Sequence, residues 1–108
     1  MTKIMITGAG SGLNKGAAFE LARRGHAVIA CVENFAQHRA LELETRALNL
    51  ALQIEKLDVT HEGDRNSALA WNVDTLVNGA GILEGGAIVD IPSENVQRQF
   101  EVNVFGPL

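Results

Sequence analysis

The chain of 108 residues has no tyrosine, one cysteine, two prolines and no long apolar run. Each scarcity excludes something. A lone cysteine, Cys31, cannot close an internal disulfide, so a disulfide-stapled secreted scaffold is ruled out. With so little proline, the 11 glycines do not read as collagen or linker; they suit places where backbones approach closely. No stretch nears the ~20 apolar residues needed to span a bilayer, and the opening Met1-Thr2-Lys3-Ile4 is too short in apolar residues for a secretory leader. A cytoplasmic protein without a membrane partner is expected. Basic residues are also scarce, 9 against 13 acidic for a net charge of -4. Without a basic stripe to neutralise phosphodiesters, a nucleic-acid partner is not expected. His26, His38 and His61 share no ligand spacing and no cysteine or carboxylate cluster supports them, so no metal site is expected.

What is present is an alternation of short apolar runs with helical patterns. Ile4-Met5-Ile6 runs into a glycine cluster. Leu13, Ala17, Ala18, Leu21 and Ala22 then recur at helical spacing, and Arg23-Arg24-Gly25 supplies a stop. Ala27 to Val32 is unbroken apolar, the pattern of a strand covered on both faces. A helix is predicted over Ala36 to Asn49, with Ala40, Leu41, Ala47 and Leu48 inward. Leu50, Leu52 and Ile54 alternate with Ala51, Gln53 and Glu55 as a third strand. Thr60 is expected to cap a short helix, Thr75-Leu76-Val77 to form a fourth strand, and Trp71 to close a helix against the sheet. Ser93 is expected to cap a last helix with Val96, Phe100 and Val104 on its apolar face. This order predicts an α/β fold: a Rossmann-like, doubly wound parallel half-sheet in the order 3-2-1-4, with residues 1–108 as one domain.

Between the first strand and first helix lies Thr7-Gly8-Ala9-Gly10-Ser11-Gly12-Leu13-Asn14. A helix N-terminus offers unpaired N–H groups and a positive dipole end, both suited to a diphosphate. The spacing G-x-G-x-x-G fails, because the sixth residue from Gly8 is Leu13 and from Gly10 is Lys15. The segment matches T-G-x-x-x-G-x-G in all but its last position and so resembles the short-chain dehydrogenase/reductase family. Leu57-Asp58-Val59-Thr60, Leu76-Val77-Asn78-Gly79-Ala80-Gly81 and Phe100-Glu101-Val102-Asn103-Val104-Phe105-Gly106 resemble three further segments of that family, in the right order.

The resemblance implies a dinucleotide cofactor held by Gly8, Ser11, Gly12 and Leu13 in the loop, Asp58 and Val59 beside the adenine, and Asn78, Ala80 and Gly81 after the fourth strand. It implies an active-site role for Asn103, which helical spacing places on the buried face of Val96 and Phe100; satisfaction by local backbone is the alternative. Selectivity is set at the end of the second strand. Val32 stands where NAD-preferring relatives carry aspartate, and Glu33 follows. A carboxylate there would repel a 2′-phosphate and accept from a 2′-hydroxyl, which favours NAD, with NADP as the alternative; a solvated loop residue is the plainer reading of Glu33.

Two departures stand out. Asn14 replaces the family's third glycine, where a side chain is expected to push the helix outward or, alternatively, to hydrogen-bond a phosphate oxygen. Gly79 replaces the usual second asparagine of N-N-A-G. Moreover, the family's chemistry depends on a tyrosine four residues before a lysine, with an upstream serine. This chain has no tyrosine, and its lysines are Lys3, Lys15 and Lys56. The expectation is a cofactor-binding portion ahead of the catalytic segment, whose small alcohol or carbonyl substrate belongs to a longer form. A non-catalytic nucleotide-binding module and a self-associating, homo-oligomeric module are the alternatives, the latter because an unpaired sheet edge invites pairing.

Overall fold

Alternate residues of the two inner strands point to opposite faces, and both faces are buried, as a parallel sheet requires. A computed structural model describes residues 3–82 and 90–107. Four parallel strands, β1 (Lys3–Ile6), β2 (Ala27–Val32), β3 (Gln53–Lys56) and β4 (Thr75–Val77), lie in the order β3-β2-β1-β4. The register pairs Ile4 with Val28 and Thr75, and Ile29 with Gln53. On one face Ile4, Ile6, Val28, Ala30 and Val32 meet helices α1 (Gly12–Arg23) and α2 (Phe35–Ala47) through Ala18, Phe19 and Leu41. On the other, Met5, Ile29 and Cys31 meet Leu57, Val59 and Val102, with Trp71 packed alongside as expected. That side carries α3 (Glu62–Ala68), a 3₁₀ turn over Leu69–Trp71, and α4 (Ser93–Phe100), which continues as a π-helical turn over Glu101–Phe105.

The predicted fold class and strand order are those observed, while several helix faces and caps differ. On α1 the buried residues are Ala18 and Phe19, whereas Leu13 is 93% exposed and Ala17 is exposed. Leu13 belongs to the first turn, ahead of the residues that reach the sheet. On α2 the buried pair is Leu41 and Thr45; Ala40, Ala47 and Leu48 are exposed. Thr45 is tolerated inside because its hydroxyl donates to the Glu42 carbonyl at 3.0 Å. The third strand starts later than Leu50, because Asn49 turns left-handed (φ 54°) and the Leu50 N–H closes back on the Thr45 carbonyl at 2.9 Å.

His61, not Thr60, caps α3: its Nδ1 accepts from the Asp64 N–H at 3.2 Å, while Thr60 is engaged by Asp58. Pro92, not Ser93, occupies the cap position of α4, and its carbonyl accepts from the Asn95 and Val96 N–H groups. The face of Val96, Phe100 and Val104 is exposed, and Val102 is the buried residue instead. Half-buried Asn95 and Gln99 already form the inward side of α4, a stripe that continues to Val102; beyond it the Gly106 N–H reaches five residues back to the Glu101 carbonyl at 2.7 Å, which widens the last turn.

The widened turn fits only because residue 106 is glycine. A β-carbon there would lie 2.7 Å from Val59 Cγ2 and 3.0 Å from the Glu101 carbonyl oxygen. Gly106→Ala is therefore expected to destabilise the chain by about 1–3 kcal/mol, read as a lower urea midpoint with an unchanged slope.

Candidate functional site

In an open parallel sheet, the crevice forms at the carboxyl ends of the strands where the strand order reverses. Here the reversal lies between β1 and β4, and the segments that follow them cross. Thr7, 3% exposed, ends β1. Its N–H donates to the Val77 carbonyl at 3.1 Å, and its Oγ1 accepts from the Gly79 and Ala80 N–H groups at 3.0 and 3.1 Å. The Ala9 N–H donates to the Cys31 carbonyl at 2.9 Å, so the loop is also tied to β2.

Gly8 and Gly12 serve this loop differently. Both have left-handed φ, +65° and +63°. A β-carbon on Gly8 would lie 2.7 Å from Ala80 Cα, so this glycine lets two backbones touch. A β-carbon on Gly12 would meet no protein atom within 4 Å, so that glycine borders open space at the start of α1. Ser11 precedes it in extended conformation and makes no side-chain cap bond, which leaves first-turn N–H groups to water or a ligand.

The crossing opens into a groove of about 120 Å³. Gly8, Gly10 and Ser11 form one wall, Glu33 and Gln37 one end, and Leu57, Asp58 and Val59 the side toward β3. Ala80, Gly81, Ile82 and Val102 complete it. Of the sequence-selected residues, Gly8, Ser11, Glu33, Asp58, Val59, Ala80 and Gly81 thus share one groove. Gly12 flanks it at the start of α1, and exposed Leu13 follows. Asn78 lines a second, apolar cavity of about 470 Å³ with Met5, Leu57 and Leu76. Asn103 is exposed, not buried with Val96 and Phe100 as expected. Its carboxamide pairs with both polar groups of Ile82, accepting from the N–H and donating to the carbonyl, each at 2.8 Å.

Gln37, Arg98 and the Asn14–Gly79 contact escaped the sequence reading. The Gln37 side chain accepts from the Glu33 N–H at 2.9 Å, and Arg98 Nη2 lies 3.0 Å from Glu33 Oε1. Both partners arrive from helices whose faces sequence spacing does not aim. Asn14 neither caps nor lines the groove; its Nδ2 donates to the Gly79 carbonyl at 2.7 Å.

Partial burial alone would raise the Asp58 pKa. Hydrogen bonds from the Thr60 hydroxyl and N–H, with the nearby Lys56 and Arg98 charges, outweigh it and hold the carboxyl below its ordinary value. Asp64 follows the same pattern: burial opposes ionisation, but the Lys56 ammonium at 2.7 Å and the Asp58 N–H at 2.9 Å prevail. The Cys31 thiol is pushed up to about 12, chiefly by burial and then by Glu55.

A family model described as short chain dehydrogenase matches residues 2–108. The chain belongs to that family. Among curated relatives, it is 41% identical over 110 residues to an uncharacterized oxidoreductase, YusZ, of Bacillus subtilis, covering 94% of this chain and 39% of that protein. It is 31% identical to an L-xylulose reductase of Caenorhabditis elegans, covering 98% and 43%. A solved point variant of actinorhodin polyketide ketoreductase with NADPH superimposes with a TM-score of 0.87 at 27% identity, covering 98% of this chain and 43% of that one. The chain thus spans about two-fifths of the length of these relatives.

A carboxylate with a depressed native pKa adds stability above its unfolded value and loses it as pH falls through the native value. The urea midpoint is therefore expected to drop between about pH 5 and pH 3. Asp64→Asn should destabilise the chain at neutral pH by about 1.5–3 kcal/mol and flatten that acid limb.

Proposed function

We propose that this chain is the dinucleotide-holding portion of an NAD(P)-dependent oxidoreductase acting between an alcohol and a carbonyl compound. The observation that carries the reading is the convergence of a glycine loop, the start of α1, an acidic residue after β2 and Asp58-Val59 on one groove at the strand-order reversal. Gly8 and Ser11 shape the diphosphate wall, and the first-turn N–H groups of Gly12 and Leu13 face the negative charge. Asp58 and Val59 flank the adenine. Asn78, Ala80 and Gly81 follow β4 toward the nicotinamide, and Asn103 holds that loop through Ile82 in support of the reacting end.

When bound, the cofactor supplies hydride transfer. This chain's own residues bind and orient it, and the absence of tyrosine leaves the proton-transfer step without the family's phenol here. The substrate is accordingly assigned to a longer form of the protein, at home in the cytoplasm. NAD is favoured over NADP because Glu33 stands at the end of β2. Arg98 occupies its Oε1, leaving the second carboxylate oxygen for a ribose hydroxyl. Val32, 1% exposed, is turned into the core and does not line the groove.

Calorimetric titration tests this. Saturable NAD binding is expected, with NADP weaker and the gap narrowed in Glu33→Gln. Gly12→Ala should weaken NAD by about tenfold or more, since backbone strain of about 1–2 kcal/mol falls on the first-turn donors. No saturable heat with either nucleotide would sink the proposal. The exposed Val96, Phe100 and Val104 and the exposed strand β4 favour self-association as a second property. Sedimentation velocity should then show concentration-dependent dimers that Phe100→Glu abolishes, and a monomer at every concentration would refute it.

A further inference from the structure

We infer that Asn14 and Gly79 work as a coupled pair, in which the Asn14 carboxamide positions the start of α1 against the loop after β4, using room that only glycine at 79 leaves. The functional part of this inference rests on the groove being the dinucleotide site; the coupling itself does not. Asn14 is half-buried in the first turn of α1, and its Nδ2 donates to the Gly79 carbonyl at 2.7 Å across 65 residues of sequence. Only the amide nitrogen can serve a carbonyl, so the orientation of the side chain is fixed by its partner.

Gly79 has no left-handed φ, so its backbone conformation does not call for glycine. Space does. A β-carbon at 79 would lie 2.6 Å from both Cγ and Nδ2 of Asn14, and 2.6 Å from the Thr7 carbonyl oxygen. The amide at 14, in its hydrogen-bonded position, and a side chain at 79 therefore exclude each other. Both polar groups of residue 79 are held by the β1–α1 segment, the N–H by Thr7 Oγ1 at 3.0 Å and the carbonyl by Asn14.

The same residue that fastens α1 to this loop carries a backbone N–H of the helix's open first turn. Freeing the side chain would let the diphosphate wall drift from Ala80 and Gly81 on the opposite side of the groove. Asn14 is on this account a positioning residue, not a ligand.

A double-mutant cycle of Asn14→Gly and Gly79→Ala, read by urea midpoint without nucleotide and by calorimetric NAD affinity at zero urea, tests the pair. Asn14→Gly is expected to lower the midpoint of the wild-type chain, through the lost hydrogen bond and poorer helix propensity, yet to raise that of Gly79→Ala by relieving the contact. The double variant stays below wild type, because the Thr7 carbonyl still crowds the added carbon. In the folded state Asn14→Gly should weaken NAD by about three- to tenfold, the loss of one hydrogen bond. Equal shifts by Asn14→Gly in both backgrounds, or unchanged NAD affinity, would overturn the inference. If Gly79→Ala does not fold, Asn14→Asp carries the test: the same shape without a donor should lower both the midpoint and the NAD affinity, and wild-type values would refute it. If the wild-type chain binds no nucleotide, the dinucleotide reading fails while the midpoint cycle still decides the coupling.

Discussion

The buried hydroxyl of Thr7 sits where two chain segments cross, and every wall of the groove is placed relative to that crossing. One oxygen accepts from two successive backbone N–H groups, those of Gly79 and Ala80. The Gly79 N–H is shared with the Val77 carbonyl at 3.0 Å, and both donors follow a three-residue strand whose residues are all exposed. Gly8 allows the crossing to close to backbone contact, and Asn14 fastens its outer side. Without this crossing, the glycine loop would be a turn after β1 with nothing opposite it.

Charge is arranged around the same opening in pairs. Lys56 bridges to Asp64, which also receives the Asp58 N–H and so fixes the start of the segment that lines the groove. Arg98 of α4 reaches Glu33 after β2, joining two elements on opposite sides of the opening. Both partners of the latter pair are about half exposed in their side chains, 55% and 46%, so its contribution to stability is slight. Its consequence is geometric, because it sets where a carboxylate oxygen stands.

The strand order, the crossover helices and most of the groove were legible in the residues. Strand β2 reads as doubly buried from its composition alone, and the loop after β1 announces itself by glycine spacing. What spacing could not reveal was which residue of a helix faces inward once caps and turns depart from regularity. The inward stripe of α4 runs through Asn95 and Gln99 to Val102 and leaves Val96 and Phe100 outside; a threonine that bonds its own helix passes for an apolar residue at 45; histidine accepts where threonine was expected to cap. The two departures from the family pattern, at 14 and 79, read as separate defects along the chain. In space they are neighbours, and each explains the other. Long-range adjacency of that kind leaves no periodic trace in a single sequence.

Cys31, next to the last residue of β2, has no exposed surface, and its thiol resists ionisation. Only thiolate reacts with alkylating reagents, and only where a reagent reaches it. Modification of this sole thiol must then wait for an excursion that parts the sheet from its covering helices. The protein thereby carries its own intrinsic clock for such openings, one that ticks only when the sheet and its cover come apart.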